Sequence, residues 1–321
     1  MLNNWTKHIN PETANKNPKH IKQKLIQKYK NTTITQLPNT KKIHNQNGSY
    51  IKRSEKIKQT IKPQKTTTKK HTNLKAIPGI GPKTETKLKK QGYKTITQLK
   101  KHPKWSHKCQ NHLKQLTTPA TTIKTLHQKI NPTCLEALKH TPKLKNKEIA
   151  LLDIETLGLH NQPIILIGIG HPQKNHLKLN QLLIENPKQE KTVLQQTKKQ
   201  LQNKTTIITF NGKTFDIPYI QKRQKHHNIT PTKNKTHIDL YHYTKKTHNL
   251  PKNKLNHIEK KLLNIQRKID IPSSQVPKYY QTYLEKQNPG PLLPILSHNR
   301  QDILTLTNLY HKITEKTLNP S

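Results

Sequence analysis

The hydrophobic rhythm of the chain changes twice. Up to about residue 70 it is polar and rich in Lys, Asn and Thr, with apolar residues too scattered to fix a period. Only HNQNGSYIKR, an Asn-Gly pair between β-formers, predicts a local element there, a small hairpin around Gly48. The run KPQKTTTKKHTN (62–73) reads as a solvated linker. Over 74–103, LKAIPGIGPKTETKLKKQGYKTITQLKKHP, two short helical patterns flank PGIG and a third follows Gly92. From 148 onward, apolar runs of strand length alternate with helical stretches. Strands are predicted at 149–155, 164–170, about 176–180, 205–210 and 237–241, with helices at about 188–203 and 215–226 and a long last one at about 292–316. Three early strands on short turns, followed by strand–helix alternation, predict an α/β domain with a mixed sheet flanked by helices. The expected organisation is a basic, weakly ordered segment (1–73), a small helical module with its connector (74–147) and an α/β domain (148–317). A fragment starting near Pro142 is expected to fold by itself.

Charge sharpens this division. The 321 residues carry 60 Lys and Arg against 16 Asp and Glu, a formal net of +44. Residues 1–147 hold +30 of it (34 basic, 4 acidic) and residues 148–321 hold +14 (26 basic, 12 acidic). Such a balance suits a polyanionic partner, because neutralised phosphates release counterions. Abundant Lys, Asn, Thr and Gln beside scarce Gly, Ala, Val and Asp also fit a guanine-poor coding strand, so nucleic-acid binding has to be argued from sites. Cys109 and Cys134 form no CxxC pair, which argues against a disulfide scaffold or zinc ribbon. His107, Cys109 and His112 have ligand-like spacing, but among 20 His they read as coincidence. No apolar run approaches the ~18 residues of a membrane span, and no signal-peptide core is visible, so no membrane partner and a cytoplasmic location are expected.

The bias makes its exceptions informative. There are five Asp (Asp153, Asp216, Asp239, Asp270, Asp302) and four Arg, and both Phe, Phe210 and Phe215, fall in one short stretch. Asp153 and Glu155 lie two apart in the apolar run EIALLDIETLGL, hence on one face of a strand, where burial and mutual repulsion both cost free energy. Asp216 follows the strand TTIITF, and His298 and Asp302, four apart in SHNRQDILTL, share a helical face. Four carboxylates brought to one sheet edge would suit hard divalent cations, and a pair of such ions can clamp the attacking and leaving oxygens of a phosphodiester. Asp239 is expected to brace the strand end or a neighbour of the metal site rather than to bind metal directly.

In order and spacing, DIETLGL, FNGKTFDIPYIQKR, HIDLYH and HNRQDILTL resemble the motifs of the DEDD (DnaQ-like) 3′–5′ exonuclease superfamily on its ribonuclease-H-like fold. The resemblance is closer to YprB-type ribonuclease-H-like domains and covers about residues 148–316. It implies that Asp153, Glu155, Asp216 and Asp302 are metal ligands for two Mg²⁺ or Mn²⁺ ions, and that His298 activates or orients the attacking water, a role suited to a near-neutral pKa. Members using His usually place it five residues before the last Asp and those using Tyr four before; here a His stands at four. Asn211, Lys213, Arg223 and Arg300 are the expected phosphate or base contacts. The 74–103 stretch resembles a helix-hairpin-helix module, in which Gly79, Ile80 and Gly81 form the hairpin, while Lys83, Lys87 and Lys90 follow a sugar–phosphate backbone. The activity expected is that of a metal-dependent nuclease, a 3′–5′ exonuclease by resemblance. The alternatives are a ribonuclease-H-type endonuclease, against which the DxE pair on one strand speaks, and a non-catalytic basic nucleic-acid-binding protein. Nucleic acid is the expected partner, DNA or RNA, and protein partners stay undefined.

Overall fold

The computed structural model describes residues 18–59, 61, 73–232, 235–267 and 269–318, so most of the expected linker at 62–73 lies outside the described residues. Seven strands are described: β1 (Thr40–Asn45), β2 (Gly48–Ile57), β3 (Ile149–Thr156), β4 (Ile164–Pro172), β5 (Leu177–Leu183), β6 (Thr206–Thr209) and β7 (Thr236–Asp239). They form one sheet in the order β1-β2-β5-β4-β3-β6-β7. The first five strands in that order pair antiparallel, and β3–β6 and β6–β7 pair parallel, which makes the sheet mixed as predicted.

The strands read most easily are covered on both faces. Ile164, Ile165, Leu166, Ile167 and Ile169 of β4 and Ile149–Leu152 of β3 are almost wholly buried, which is why they appear as unbroken apolar runs instead of alternating ones. The helices Glu190–Leu201 and Asp216–His226 and the long Leu292–Leu318 fall where the 3.6-residue patterns put them.

The expectation for residues 1–73 needs correcting. The hairpin at Gly48 exists, with Asn45 opposite Gly48, but it extends over Thr40–Ile57 and is part of the sheet. β2 pairs with β5 over seven residues, from Ile51 opposite Leu183 to Ile57 opposite Leu177. Upstream, the helix Pro18–Lys28 buries Ile21 and Leu25 in the same core cluster as Tyr279, Tyr280 and Leu292. Asn288 caps that helix by donating its amide to the carbonyls of Ile26 (2.9 Å) and Tyr29 (3.0 Å).

The described residues divide into two compact units. One joins those up to Ile61 with Asn146–Tyr241 and Leu250–Leu309, and contains the whole sheet; the other comprises those within 62–145, His242–Asn249 and 310–318. The second unit is helical. A 3₁₀ turn at Leu74–Ala76 and the helix Pro82–Lys90 flank the hairpin, a short helix Ile96–Leu99 comes after Gly92, and Ser106–Gln115 and Pro119–Lys129 follow. Gly79 has φ +92°, a left-handed conformation that favours glycine, although a Cβ there would meet the Trp105 ring only at an ordinary contact distance of 3.5 Å. Gly81 is different: its φ of −93° suits any residue, and a side chain would meet open space. Lys83, Lys87 and Lys90 are all exposed. Cys109 and Cys134 are free and buried.

Candidate active site

Both residues of the DxE pair lie on β3, in the middle of the sheet. Asp216 is the first residue of the helix that follows β6, and its Oδ1 accepts the Ile154 N–H (3.2 Å), which docks that helix start against β3. The turn FNGK before it is built to tight tolerance. Asn211 takes φ +60°, and a Cβ on Gly212 would lie 2.6 Å from the Thr209 side chain. Asp239, at the end of β7, accepts the N–H groups of Asn211 (2.7 Å), Tyr241 (3.1 Å) and Lys213 (2.9 Å), so it braces the loop as expected. His298 and Asp302 come from the long last helix.

Asp153, Glu155, Asp216, His298 and Asp302 line one pocket of about 570 Å³, with Asn211 and the apolar side chains of Leu159, Phe210, Phe215 and Pro277 on its other walls. All five predicted catalytic residues therefore meet. Among the described residues no three His, Cys, Asp or Glu side chains close into a ligand cluster. Two of the carboxylates are held by protein side chains: Asp153 Oδ2 accepts the Asn299 amide (2.8 Å), and Asp302 accepts Arg267.

The electrostatics show what the pocket lacks. Burial, then the charges of Asp302, Asp216 and Glu155, push Asp153 well above the usual carboxylate range. Burial raises Glu155 to about 8, reinforced by Asp302, Asp216 and Asp270 against the opposing pull of His298. Burial raises Asp216 to about 7, although the N–H groups it accepts oppose this. No ion pair reaches these three among the described residues, so their ionised forms have no cation in contact to offset the cost of burial and of one another's charge.

His298 departs from the near-neutral expectation. Burial alone would lower it, but Asp302, the hydrogen bond to Asp270 and the charge of Glu155 push it up to about 10. Its Nδ1 faces Asp270 Oδ1 at 2.6 Å and its Nε2 lies 3.5 Å from Asp302 Oδ2. Four further residues belong to the site: Arg267, Glu259 and Asp270 lie outside the motifs, and Asn299 lies within HNRQDILTL but was not singled out. Arg267 is bidentate to Glu259 (2.6 and 2.8 Å) and also reaches Asp270 (3.0 Å) and Asp302. Asp270 orients His298, and Asn299 holds Asp153. The available signal was scarcity: Asp270 is one of five Asp and Arg267 one of four Arg.

Two expected nucleic-acid contacts are corrected. Arg223 is buried and bidentate to Glu190, with Nε 2.8 Å from Oε1, and it donates to the Asn161 carbonyl (2.8 Å). Arg300 is bidentate to Glu55, both bonds 2.8 Å. Each guanidinium fork is already filled by a carboxylate, the geometry that best satisfies it. Asn211 and Lys213 are exposed, and Asn211 lines the pocket.

Arg223→Met is therefore expected to destabilise the protein by about 3–5 kcal/mol, since it strands the buried Glu190 without its partner. Burial would raise Glu190, but bonds from Arg223, the Ile164 N–H and His227 outweigh it and hold the carboxyl below its usual range. Its stabilisation is thus present above the unfolded carboxylate pKa and lost as pH falls through the lower folded value. Denaturant unfolding at pH 7 and in acid checks both points. A wild-type midpoint for Arg223→Met at pH 7 would refute them.

With this geometry in place, comparisons with known proteins add the lineage. “Uncharacterized protein YprB” of Bacillus subtilis (strain 168) is 29% identical over 194 residues, covering 57% of this chain. The match takes in 47% of that protein, so the chain spans about half the length of its relative. The family B DNA polymerase of the hyperthermophilic archaeon Pyrobaculum calidifontis aligns at a TM-score of 0.42 and 13% identity, over 51% of this chain and 24% of the polymerase. The family model of the RNase H superfamily matches residues 150–314. That match spans more than half the chain and contains every carboxylate of the pocket, and the chain belongs to the RNase H superfamily.

Proposed function

We propose that the chain is a metal-dependent nuclease, a 3′–5′ exonuclease in which Asp153, Glu155, Asp216 and Asp302 hold Mg²⁺ or Mn²⁺, two ions in the full site. The observation that carries this reading is the gathering of four carboxylates and His298 in one pocket, where burial and neighbouring charge make Asp153 and Glu155 costly to ionise without a cation. RNase H-like nucleases generally use divalent metals such as Mg²⁺, and this donor set, all carboxylate oxygen, fits hard cations. When bound, such ions supply Lewis acidity and neutralise charge on the reacting phosphate.

The chain's own residues do the rest. Asp270 fixes the His298 ring through Nδ1 and leaves Nε2 directed to the Asp302 side. In the arrangement described, His298 carries a proton at neutral pH and acts as a donor to an oxyanion; it becomes a base only where the surrounding carboxylates are neutralised. Arg267 offsets the charge of Glu259, Asp270 and Asp302. Leu159, Phe210 and Phe215 give the pocket an apolar wall against which a terminal base can lie. Gly79 with Lys83 and Lys87 forms a second, phosphate-directed grip in the helical unit. The single-strand placement of the DxE pair supports exonuclease over endonuclease chemistry.

The test uses DNA and RNA oligomers labelled at either end, incubated with Mg²⁺, Mn²⁺ or chelator. The expected result is metal-dependent stepwise loss from the 3′ end, giving a ladder with the 5′ label. Internal cuts on a 3′-blocked oligomer would assign endonuclease activity instead. No cleavage of any substrate in either ion would remove the nuclease reading.

A further inference from the structure

Four residues stand side by side across the sheet. Arg53 on β2 is opposite Gln181 on β5, Gln181 is opposite Gly168 on β4, and Gly168 is opposite Asp153 on β3. Directly paired residues project from the same face, so this row points a guanidinium, an amide, no side chain and a carboxylate to one side. The gap at Gly168 is filled from above. Asn299 of the last helix sits there so closely that a Cβ on Gly168 would be 2.3 Å from its Oδ1. One turn along, Ile303 occupies the same relation to Gly170, at 2.9 Å.

The hydrogen bonds along the row have one direction. Arg53 Nη1 donates to Gln181 Oε1 (2.9 Å); Gln181 Nε2 donates to Asn299 Oδ1 (2.9 Å); Asn299 Nδ2 donates to Asp153 Oδ2 (2.8 Å) and to the Asp153 carbonyl (3.2 Å). A guanidinium can only donate, so Arg53 forces the oxygen of Gln181 toward itself and the nitrogen toward Asn299. That choice in turn forces the Asn299 nitrogen toward Asp153. Arg53 is itself held by Glu55 (2.9 Å), which Arg300 clamps. Gln181 and Asn299 are fully buried and Arg53 nearly so, so no water competes for the order.

We infer that Gln181 and Arg53 are positioning residues for the cation site: they set the donor direction of Asn299 and thereby the orientation of the Asp153 carboxylate. The inference rests on the reading of Asp153 as a cation ligand. It assigns a task at the site to β2, a strand about 100 residues upstream of the first carboxylate motif. Partners behind a ligand are worth roughly 10–100-fold in metal affinity.

Gln181→Glu tests it, because the substitution keeps volume and the bond to Arg53 but offers Asn299 an acceptor where it had a donor. The measurement is Mn²⁺ affinity of the full chain by electron paramagnetic resonance, beside cleavage and a thermal melt. Expected is a roughly 10–100-fold weaker Mn²⁺ affinity for Gln181→Glu, at least as large a loss for Asn299→Asp, and a smaller one for Gln181→Met, which leaves Asn299 undirected. Wild-type Mn²⁺ affinity in a folded Gln181→Glu or Asn299→Asp overturns the inference. So does Gln181→Met with wild-type affinity if both carboxylate variants fail to fold, since the amide then matters for packing alone. Asp153→Asn is measured alongside. If it binds Mn²⁺ and cleaves like the wild type, the reading of the site is wrong; if it loses both while Gln181→Glu does not, only the positioning chain is.

Discussion

Asp153→Asn is expected to reduce cleavage by about 10³-fold or more, and at the same time to raise the melting temperature in chelator. The first effect follows from what a ligand of the reacting-phosphate clamp is worth: several kcal/mol of transition-state stabilisation, at about 1.4 kcal/mol for each tenfold in rate. The second follows from the cost of the wild-type charge. Burial and the neighbouring Asp302, Asp216 and Glu155 raise the Asp153 pKa, so its ionised form disfavours folding at neutral pH. Asparagine removes that charge, and its side-chain oxygen still accepts the Asn299 amide. Affinity for nucleic acid should stay within several-fold, because distributed Lys–phosphate contacts supply most of it. A melt in chelator and single-turnover cleavage on the same preparation give both readouts. A variant that cuts at the wild-type rate would dismiss this pocket as the site, and a lower melting temperature would dismiss the electrostatic account.

Removal of residues 1–141 is expected to abolish folding of the sheet unit, the reverse of what the apolar pattern after 148 implies. The deleted segment holds Ile21, Leu25, Ile34, Leu37, Tyr50 and Ile51, all in the core cluster of the sheet unit. At about 1.5–3 kcal/mol for each buried apolar side chain, their loss outweighs a typical net stability of about 5–15 kcal/mol. It would also strip β5 of its partner over seven residues and leave Gln181 without Arg53 and Arg300 without Glu55. An unpaired, apolar strand edge of that kind promotes aggregation. Far-UV circular dichroism and a thermal melt on a fragment starting near Pro142 decide the matter. A cooperative transition at the full-length temperature, with metal-dependent cleavage retained, would contradict it.

The contrast between β3 and β2 explains which parts of the fold were legible. β3 and β4 are buried on both faces and announce themselves by unbroken Ile and Leu. β2, GSYIKRSEKI, has inward positions filled by Arg53 and Glu55, which satisfy each other and Gln181 inside the protein. Charged residues that are paired in the interior look, in sequence, like charged residues in water. The same ambiguity governs the site. Asp153 with Glu155 and His298 with Asp302 were found because spacing places each pair on one strand face or one helix face, Asp216 because it follows a strand, and the set as a whole through the family resemblance. Arg267 and Asp270 come from an irregular stretch after a π-helical turn at Glu259–Leu263, where no period relates them to their partners. Scarcity pointed correctly to Arg223 and Arg300 as residues with a task, but the task is internal pairing rather than phosphate contact.

All four arginines of the chain turn out to be occupied by acids: Arg53 and Arg300 by Glu55, Arg223 by Glu190, Arg267 by Glu259, Asp270 and Asp302. The remaining 56 of the 60 basic residues are lysines. A lysine ammonium is a point charge without the planar fork, and serves wherever only a positive field is wanted. Under a mutational pressure that exchanges arginine codons for lysine codons, most cationic positions of this protein are therefore interchangeable at little cost. Three of these four hold a carboxylate by both arms and the fourth holds Glu55 and Gln181 at once, geometries an ammonium cannot reproduce. The chain's four arginines thus mark positions where the planar fork itself, and not merely a positive charge, is in use.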